Sequence, residues 1–508
     1  MSLLAVDMGS SSCKAVAFSE EGRVLAQKSC SYSPESQRPG WAEMSPDKFW
    51  QAFRAIARAV ATETNQPVEV LAISSHGETF IPVDSRQQPV GPAILNIDNR
   101  AVAEANWLAD TLGRRRIFEI TGLAVHSMYP IPKILWMREH QRDIFSSANC
   151  FLALPAYLLS RLGLPPYVDY SLASRFLAFD VRQRCWSAEI MSACQLNSEQ
   201  FSIPVPSGTV AGHLQWSIAA DLGLRSGTMV AVGGHDQPCA ALGCGVLTPG
   251  RVSASLGTYE CLVAASESPA INGQALSANL NSYCHVVPDR FVTIAYFPSG
   301  IMVEWFLHLL YSEQQLASAS VSELCAALEA DAPEGPTGLC VTPHLPGTCN
   351  PDFDPHATGV ILGIRPTTRR SELYKGILEG IACEFATMAD LLQRVVAPFD
   401  EVYVTGGGGR SRLGLNLRAS LASRRLHLMR SPEAVCLGTA IIAGLAAGKY
   451  RSFAEAVKQV VVPGETIQPN PGMGASYSGQ LQQYRLLYSS LAPVRQAQAA
   501  SHSGGGNA

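Results

Sequence analysis

The sequence predicts an α/β fold built as two similar halves. Two short apolar runs, residues 3–6 and 15–18, flank a small-residue turn at residues 9–12, the pattern of two paired strands. The same order of strand, small turn and return strand comes back at residues 252–255, 256–258 and 260–264. Each half also holds an apolar strand that runs into a loop: residues 68–74 into Ser75-His76-Gly77-Glu78, and residues 401–405 into Gly406-Gly407-Gly408-Gly409. This shared plan hints at duplication, although no numerical repeat accompanies it. A length of 508 residues accommodates two or more domains. The boundary is placed near residues 244–249, which gives units 1–245 and 246–492.

The elements follow in order. A hairpin at Glu21-Gly22 leads to a third strand over residues 23–28. A helix is expected from Pro46 to about Thr64, with Ser45 as its cap and Pro46 in the first turn. The apolar strand 229–232 ends in Gly233-Gly234-His235-Asp236-Gln237-Pro238. Residues 434–448 form the longest weakly polar run, too short to span a bilayer, and read as a buried helix. Residues 493–508, rich in Gln, Ala, Ser and Gly, read as a disordered tail.

Composition narrows the function. Apolar residues are 47% of the chain and charged residues 16%, ample for buried cores. A net charge of −4 is small for this size and gives no basic surface for nucleic acid. Arg114, Arg115 and Arg116 read as a solvated helix end. Asp7 arrives before any signal-type apolar stretch can build up. Fourteen cysteines without a CxxC pair read as small hydrophobes in a reducing compartment. A cytoplasmic protein with no membrane partner is expected.

Four constellations could carry chemistry. Asp7-Met8-Gly9-Ser10-Ser11-Ser12-Cys13-Lys14 combines a turn of exposed N–H groups and hydroxyls with a carboxylate suited to magnesium, although a plain hairpin would look the same. The GxxxxGK[ST] spacing of a P-loop is missing. Ser255-Leu256-Gly257-Thr258 is a second such turn, and two of them could grip a polyphosphate across a cleft. Residues 406–409 with Arg410-Ser411 leave room for a flat base or a ribose, or form a flexible turn. Asp236 stands past a glycine pair, as a residue at a cleft mouth or as the cap of the next helix.

Taken together, the segments resemble the FGGY carbohydrate kinases, from Leu3 to about Gly448. The likeness rests on Asp7-x-Gly9-Ser10-Ser11, on Pro39-Gly40-Trp41-Ala42-Glu43 with Trp50, and on Pro92-Ala93-Ile94-Leu95 with Asp98-x-Arg100. Lys133, Trp136, Asp169-Tyr170-Ser171, Ala173-Ser174, Phe179-Asp180 and Trp186 continue it. Gly234-x-Asp236, the stretch 359–364 with Glu372-Leu373 and residues 377–380, and Gly406-Gly407-Gly408 complete it.

The resemblance implies two RNase H-like domains of the actin and hexokinase ATPase type, with a catalytic cleft between them. It implies an ATP- and Mg2+-dependent sugar kinase with Asp236 as catalytic base and Asp7 in the magnesium shell. Gly9, Ser10, Ser11, Ser12, Lys14, Gly257, Thr258, Gly406, Gly407, Gly408 and Ser411 would bind ATP. His76, Glu78, Asn96, Asp98 and Gln237 are the candidate sugar contacts, while Arg100 reads as the ion-pair partner of Asp98. Several positions depart from the family pattern. Asn96 replaces the usual Trp, residues 75–79 match neither xylulokinases nor glycerol kinases, Gly347-Thr348-Cys349 replaces Gly-Glu-Arg, and Ala156 replaces an Asp. These changes touch the sugar side and leave the phosphate side intact. A ketose of the pentulose class is the expected substrate, with glycerol or a tetritol as the alternative. The readings of another class are a nucleotide-driven ATPase switch and a non-catalytic sugar sensor. A homodimer stays open.

Overall fold

The computed structural model describes residues 2–36, 38 and 40–495. Its architecture is two twisted, mixed sheets flanked by helices. The first sheet begins with β1 (Ser2–Met8), β2 (Ser12–Ser19) and β3 (Val24–Ser31), an antiparallel meander. After α1 (Pro46–Glu63), β4 (Val68–Ser75) lies parallel to β1. β5 (Val210–His213) and β6 (Met229–His235) finish the sheet in the order β5-β6-β4-β1-β2-β3. α2 (Asp236–Gly243) then leaves its edge.

The second sheet repeats the plan with β7 (Val252–Leu256), β8 (Tyr259–Ser266), β9 (Asn281–Cys284) and β10 (Phe291–Pro298). α3 (Arg370–Gln393), β11 (Glu401–Thr405), α4 (Arg412–Ala422), β12 (Arg425–Met429), α5 (Ala434–Ala446), β13 (Pro463–Ile467) and α6 (Pro471–Ser490) follow. Its order is β9-β10-β8-β7-β11-β12-β13. The meander β7-β8-β10 corresponds to β1-β2-β3, and parallel β11 and β12 to β4 and β6. The hint of duplication in the sequence is thus a repeated strand order.

The patterning explains the layers. α1 buries Phe49, Trp50, Phe53, Ile56, Ala57 and Val60, one face at helical spacing. Each large side chain so buried contributes about 1.5–3 kcal/mol. Ser45 occupies the cap position, but its hydroxyl caps nothing, so Pro46 alone marks the helix start. The apolar run 434–448 is the buried helix α5, packed on α2. That packing is close: a β-carbon on Gly438 would stand 1.9 Å from the Cys239 carbonyl oxygen, and one on Gly243 would stand 2.0 Å from that of Ala434.

Arg114–Arg116 begin a short helix and meet Glu119 and Glu189. All fourteen cysteines are free thiols. Most of the expected disordered tail, residues 496–508, lies outside the described residues. Residues 493–495 depart from that expectation: they are helical, and Arg495 Nε donates to Asp354 (3.2 Å). Among the described residues no helix is long and apolar enough to cross a membrane.

Candidate active site

Three parallel strands of the first sheet end level with one another. Met8 stands opposite Ser75, and Ser75 opposite His235. Gly9, His76 and Asp236 therefore leave the sheet at one edge, the carboxyl edge where α/β sheets receive ligands. Asp7 lies just inside, in register with Lys14 and Ser74. Ser74 Oγ donates to its Oδ1 (3.0 Å). Burial outweighs that bond and raises the Asp7 carboxyl to about 6.

Asp236 is the first residue of α2. Burial, then the charges of Asp7 and Glu78, push its carboxyl well above the usual range. Among the described residues its Oδ1 accepts no hydrogen bond, although His235 Nε2 is 3.2 Å away. The position before it, His235, is the helix cap, and no side chain caps this helix. A half-buried carboxylate with a raised proton affinity and an oxygen without a partner suits a general base. Asn96 Oδ1 and Gln237 Oε1 are also buried and without a partner among the described residues. Three acceptors in this condition fit a ligand that brings hydroxyl donors.

Glu78 has a left-handed backbone (φ 62°), a strained choice for a non-glycine residue and common at ligand sites. Arg175 Nε donates to its Oε1 (2.5 Å). Next to it, a β-carbon on Gly77 would lie 3.0 Å from Arg175 Cγ and 3.1 Å from His235 Nε2, so this loop is pressed against both. The Glu78 charge acts on His126, Tyr129, Lys133, Tyr283 and Tyr296, a ring of buried groups around it. The guanidinium of Arg175 lies over Tyr129 (5.2 Å) and Tyr283 (4.8 Å). Lys133 Nζ donates to the Leu95 carbonyl (2.5 Å), and burial lowers its pKa to about 7.

The second sheet supplies the other wall. Ser255 stands opposite Thr405, so the turns at Gly257-Thr258 and residues 406–410 meet at its carboxyl edge. They border a cavity of about 450 Å³, within the range of small-ligand sites. Val303, Leu307, Val321 and Ala326 line its apolar side. Glu329, on its wall, accepts from Ser411 Oγ (2.8 Å) and Tyr374 Oη (3.3 Å). Glycine turns facing an apolar slot suit a flat base with its phosphates held by backbone N–H groups.

The structure thus gathers Gly257, Thr258, Gly407, Gly408 and Ser411 on one cavity, with Gly406 at its margin against Leu256. It sets Asp7, Asp236 and Glu78 together on the other edge. Four other groups of expected contacts have partners within the protein. Gly9, Ser10, Ser11 and Ser12 do not line the cavity; they form a turn closed by Gly9 N to Ser12 O (2.9 Å). Lys14 points to Glu433 (2.7 Å) and is not among the residues that line the cavity. Asp98 is committed elsewhere: it is fully buried and accepts from Ala42 N (2.6 Å), Arg100 Nε (2.9 Å) and Arg100 Nη2 (2.7 Å). It holds Arg100 in place. His76 has both ring nitrogens engaged, with Met8 O (2.8 Å) and Thr79 Oγ1 (2.6 Å), so it shapes the loop that presents Glu78.

Arg175, Tyr129, Tyr283, Lys133 and Glu329 were not among the expected contacts. The segment around Ala173-Ser174 was conspicuous, but nothing in sequence spacing ties Arg175 to a carboxylate 97 residues away.

A carboxylate oxygen without a partner at the edge of one sheet and a ligand-sized cavity at the edge of the other suit a phosphotransferase of the sugar-kinase type. Residues 2–243 match the N-terminal domain and residues 252–447 the C-terminal domain of the FGGY family of carbohydrate kinases. The chain belongs to that family and is a sugar kinase with ATP as phosphoryl donor. It is 27% identical to a xylulose kinase of Escherichia coli, over 97% of this chain and 99% of the other. It is 24% identical to a gluconokinase of Bacillus subtilis, over 92% and 91%. Its fold superposes on ligand-bound xylulose kinase from Lactobacillus acidophilus with a TM-score of 0.88, at 21% identity over 97% and 98% of the two chains.

Proposed function

We propose that this kinase phosphorylates a neutral ketose of the pentulose class, in the cytoplasm, with Mg-ATP. The observation that carries the reading is the set of buried acceptors without partners among the described residues, Asp236 Oδ1, Asn96 Oδ1 and Gln237 Oε1, the first of them within reach of the charges of Glu78 and Arg175. Hydroxyl donors match it. The gluconokinase relative raises an aldonic acid as the competing substrate. A carboxylate ligand calls for a free cation, yet Arg175 is paired with Glu78, whose own charge would repel a second carboxylate. This favours a neutral sugar. We take residues 1–245 as the sugar-binding unit and 246–492 as the nucleotide-binding unit.

In this reading Asp236 accepts the proton of the attacking hydroxyl as its oxygen meets the γ-phosphorus. The displaced pKa makes it the stronger base. Asp7 lies beside a second carboxylate and has its charge disfavoured by burial, a donor that fits a hard divalent cation. Magnesium bound there would neutralise charge on the transferring phosphate.

The test is a coupled ADP-release assay with Mg-ATP over a panel of pentuloses, hexuloses, glycerol, tetritols and gluconate. Pentulose turnover supports the reading, and preference for gluconate overturns the neutral-sugar argument. Asp236→Asn should keep ATP binding and lose at least about 100-fold in kcat, the range for a general base. Unchanged turnover would remove Asp236 from the mechanism.

A further inference from the structure

Resting on Asp236 as the base, we infer that His235 is the residue that positions it, and that Tyr283 in turn positions His235. His235 Nε2 is 3.2 Å from Asp236 Oδ1, the oxygen without a hydrogen-bond partner. Its Nδ1 is 2.8 Å from Tyr283 Oη. The histidine backbone is fixed as well: its N–H donates to Ser171 Oγ (2.9 Å), and Ser171 Oγ donates to Asp169 (2.6 Å). Gly77 lies close to the His235 Nε2, where a β-carbon would stand 3.1 Å away. These contacts engage both ends of the imidazole.

The tautomer follows from the surroundings. His235 is fully buried and faces Arg175, with His76 nearby, and burial together with these groups keeps it neutral. A neutral imidazole has one N–H. The Asp236 carboxylate oxygen 3.2 Å from Nε2 favours the proton on that nitrogen, and Nδ1 then accepts from Tyr283 Oη–H. In the structure Nε2 and Oδ1 are close but out of line for a hydrogen bond. Such contacts at catalytic groups tighten when substrate docks. A carboxylate oxygen has two lone pairs, so Oδ1 can accept from His235 and from the incoming hydroxyl together. Tyr283 lies on β9 of the second sheet and His235 on β6 of the first. The base is therefore oriented by a strand from the other half of the molecule.

A pair of near-isosteric variants tests this. The amide nitrogen of a glutamine replaces Nε2, and that of an asparagine replaces Nδ1. His235→Gln keeps a donor for Asp236; His235→Asn keeps only the link to Tyr283. With the fastest panel sugar, His235→Gln should hold kcat within about fivefold of wild type. His235→Asn should lower it 10- to 100-fold, with the KM for sugar and for ATP within threefold. Tyr283→Phe should also lower kcat, and adding it to His235→Asn should cost little more, because both break one chain of contacts. Equal kcat in the Gln and Asn variants, or a change in sugar KM alone, overturns the inference. Asp236→Asn separates the two claims: if it is inactive while the His235 variants match wild type, the base stands and its positioning by His235 falls. Melting temperature and ATP binding for each variant show that the comparison is made on folded protein.

Discussion

Glu78 and Arg175 form a buried ion pair at 2.5 Å across 97 residues of sequence, with side chains 5% and 7% exposed. Removing one partner of such a pair leaves an uncompensated buried charge, at a cost of about 3–5 kcal/mol. Arg175→Met should therefore lower the melting temperature strongly. Glu78→Gln also unpairs a charge and should melt lower, but it keeps shape and an acceptor for Arg175; the folded variant should raise the sugar KM about tenfold or more and leave the ATP KM unchanged. Steady-state kinetics with each substrate varied in turn checks the split. An equal rise in both constants would mean that the pair serves the fold and not the sugar.

Lys133 predicts a pH dependence of stability. Its folded pKa of about 7 lies below its ordinary value of 10.5, since burial disfavours the charge more than Asp98 and Glu78 restore it. Between these values the unfolded chain binds a proton that the folded chain has released, so stability rises with pH across that window. Below pH 7 the full penalty is present. Lys133→Met removes it but leaves the Leu95 carbonyl without its donor, a constant loss. Relative to wild type, the variant should be more stable by about 1–3 kcal/mol at pH 6 than at pH 10. Thermal melts of both proteins from pH 6 to 10 measure the difference. A gap that does not change with pH would show that Lys133 folds charged.

The parts of this molecule that repeat locally were legible in the sequence. Strand 401–405 has the expected bounds, and β1, β2 and α1 differ from expectation by a few residues at most. Apolar spacing and glycine punctuation are local signals, and they also exposed the turns at Gly257 and Gly406. What stayed hidden depends on distant partners. Lys14 was read as a phosphate ligand because it follows a glycine turn, and only the fold reveals Glu433 at its tip. Asp98 and His76 looked free for sugar because their partners, the Ala42 N–H and the Met8 carbonyl, are backbone groups with no trace in side-chain pattern.

The Lys14–Glu433 pair yields its own prediction. The two side chains are 41% and 13% exposed, so the pair is worth about 0.5–1 kcal/mol. Glu433→Gln would release the ammonium toward a bound polyphosphate. The ATP KM should then fall two- to fivefold, and Lys14→Met should raise it. Isothermal titration with ATP and Mg2+ gives the affinities directly. No change in either variant would make the pair a surface contact without a role in nucleotide binding.

The seam between α2 and α5 carries the last prediction. Asp236 opens α2, and the glycines at 243 and 438 let the two helices approach until each would-be β-carbon sits about 2 Å from the other helix's carbonyl oxygen. Carbon and oxygen in contact need more than 3 Å, so Gly438→Ala must move α2. Overpacking of this kind costs about 1–3 kcal/mol. A displacement of about 1 Å at a catalytic group can cost as much as 100-fold. Gly438→Ala should therefore lower kcat at least tenfold along with the melting temperature. Gly448 provides the control. It has a left-handed backbone (φ 69°) and open space around its would-be β-carbon. An alanine there strains its own turn by about 1–2 kcal/mol without moving a neighbour. If Gly448→Ala melts lower yet turns over at the wild-type rate while Gly438→Ala loses kcat, the loss belongs to the displaced base. Equal loss of kcat in both variants would assign it to general destabilisation.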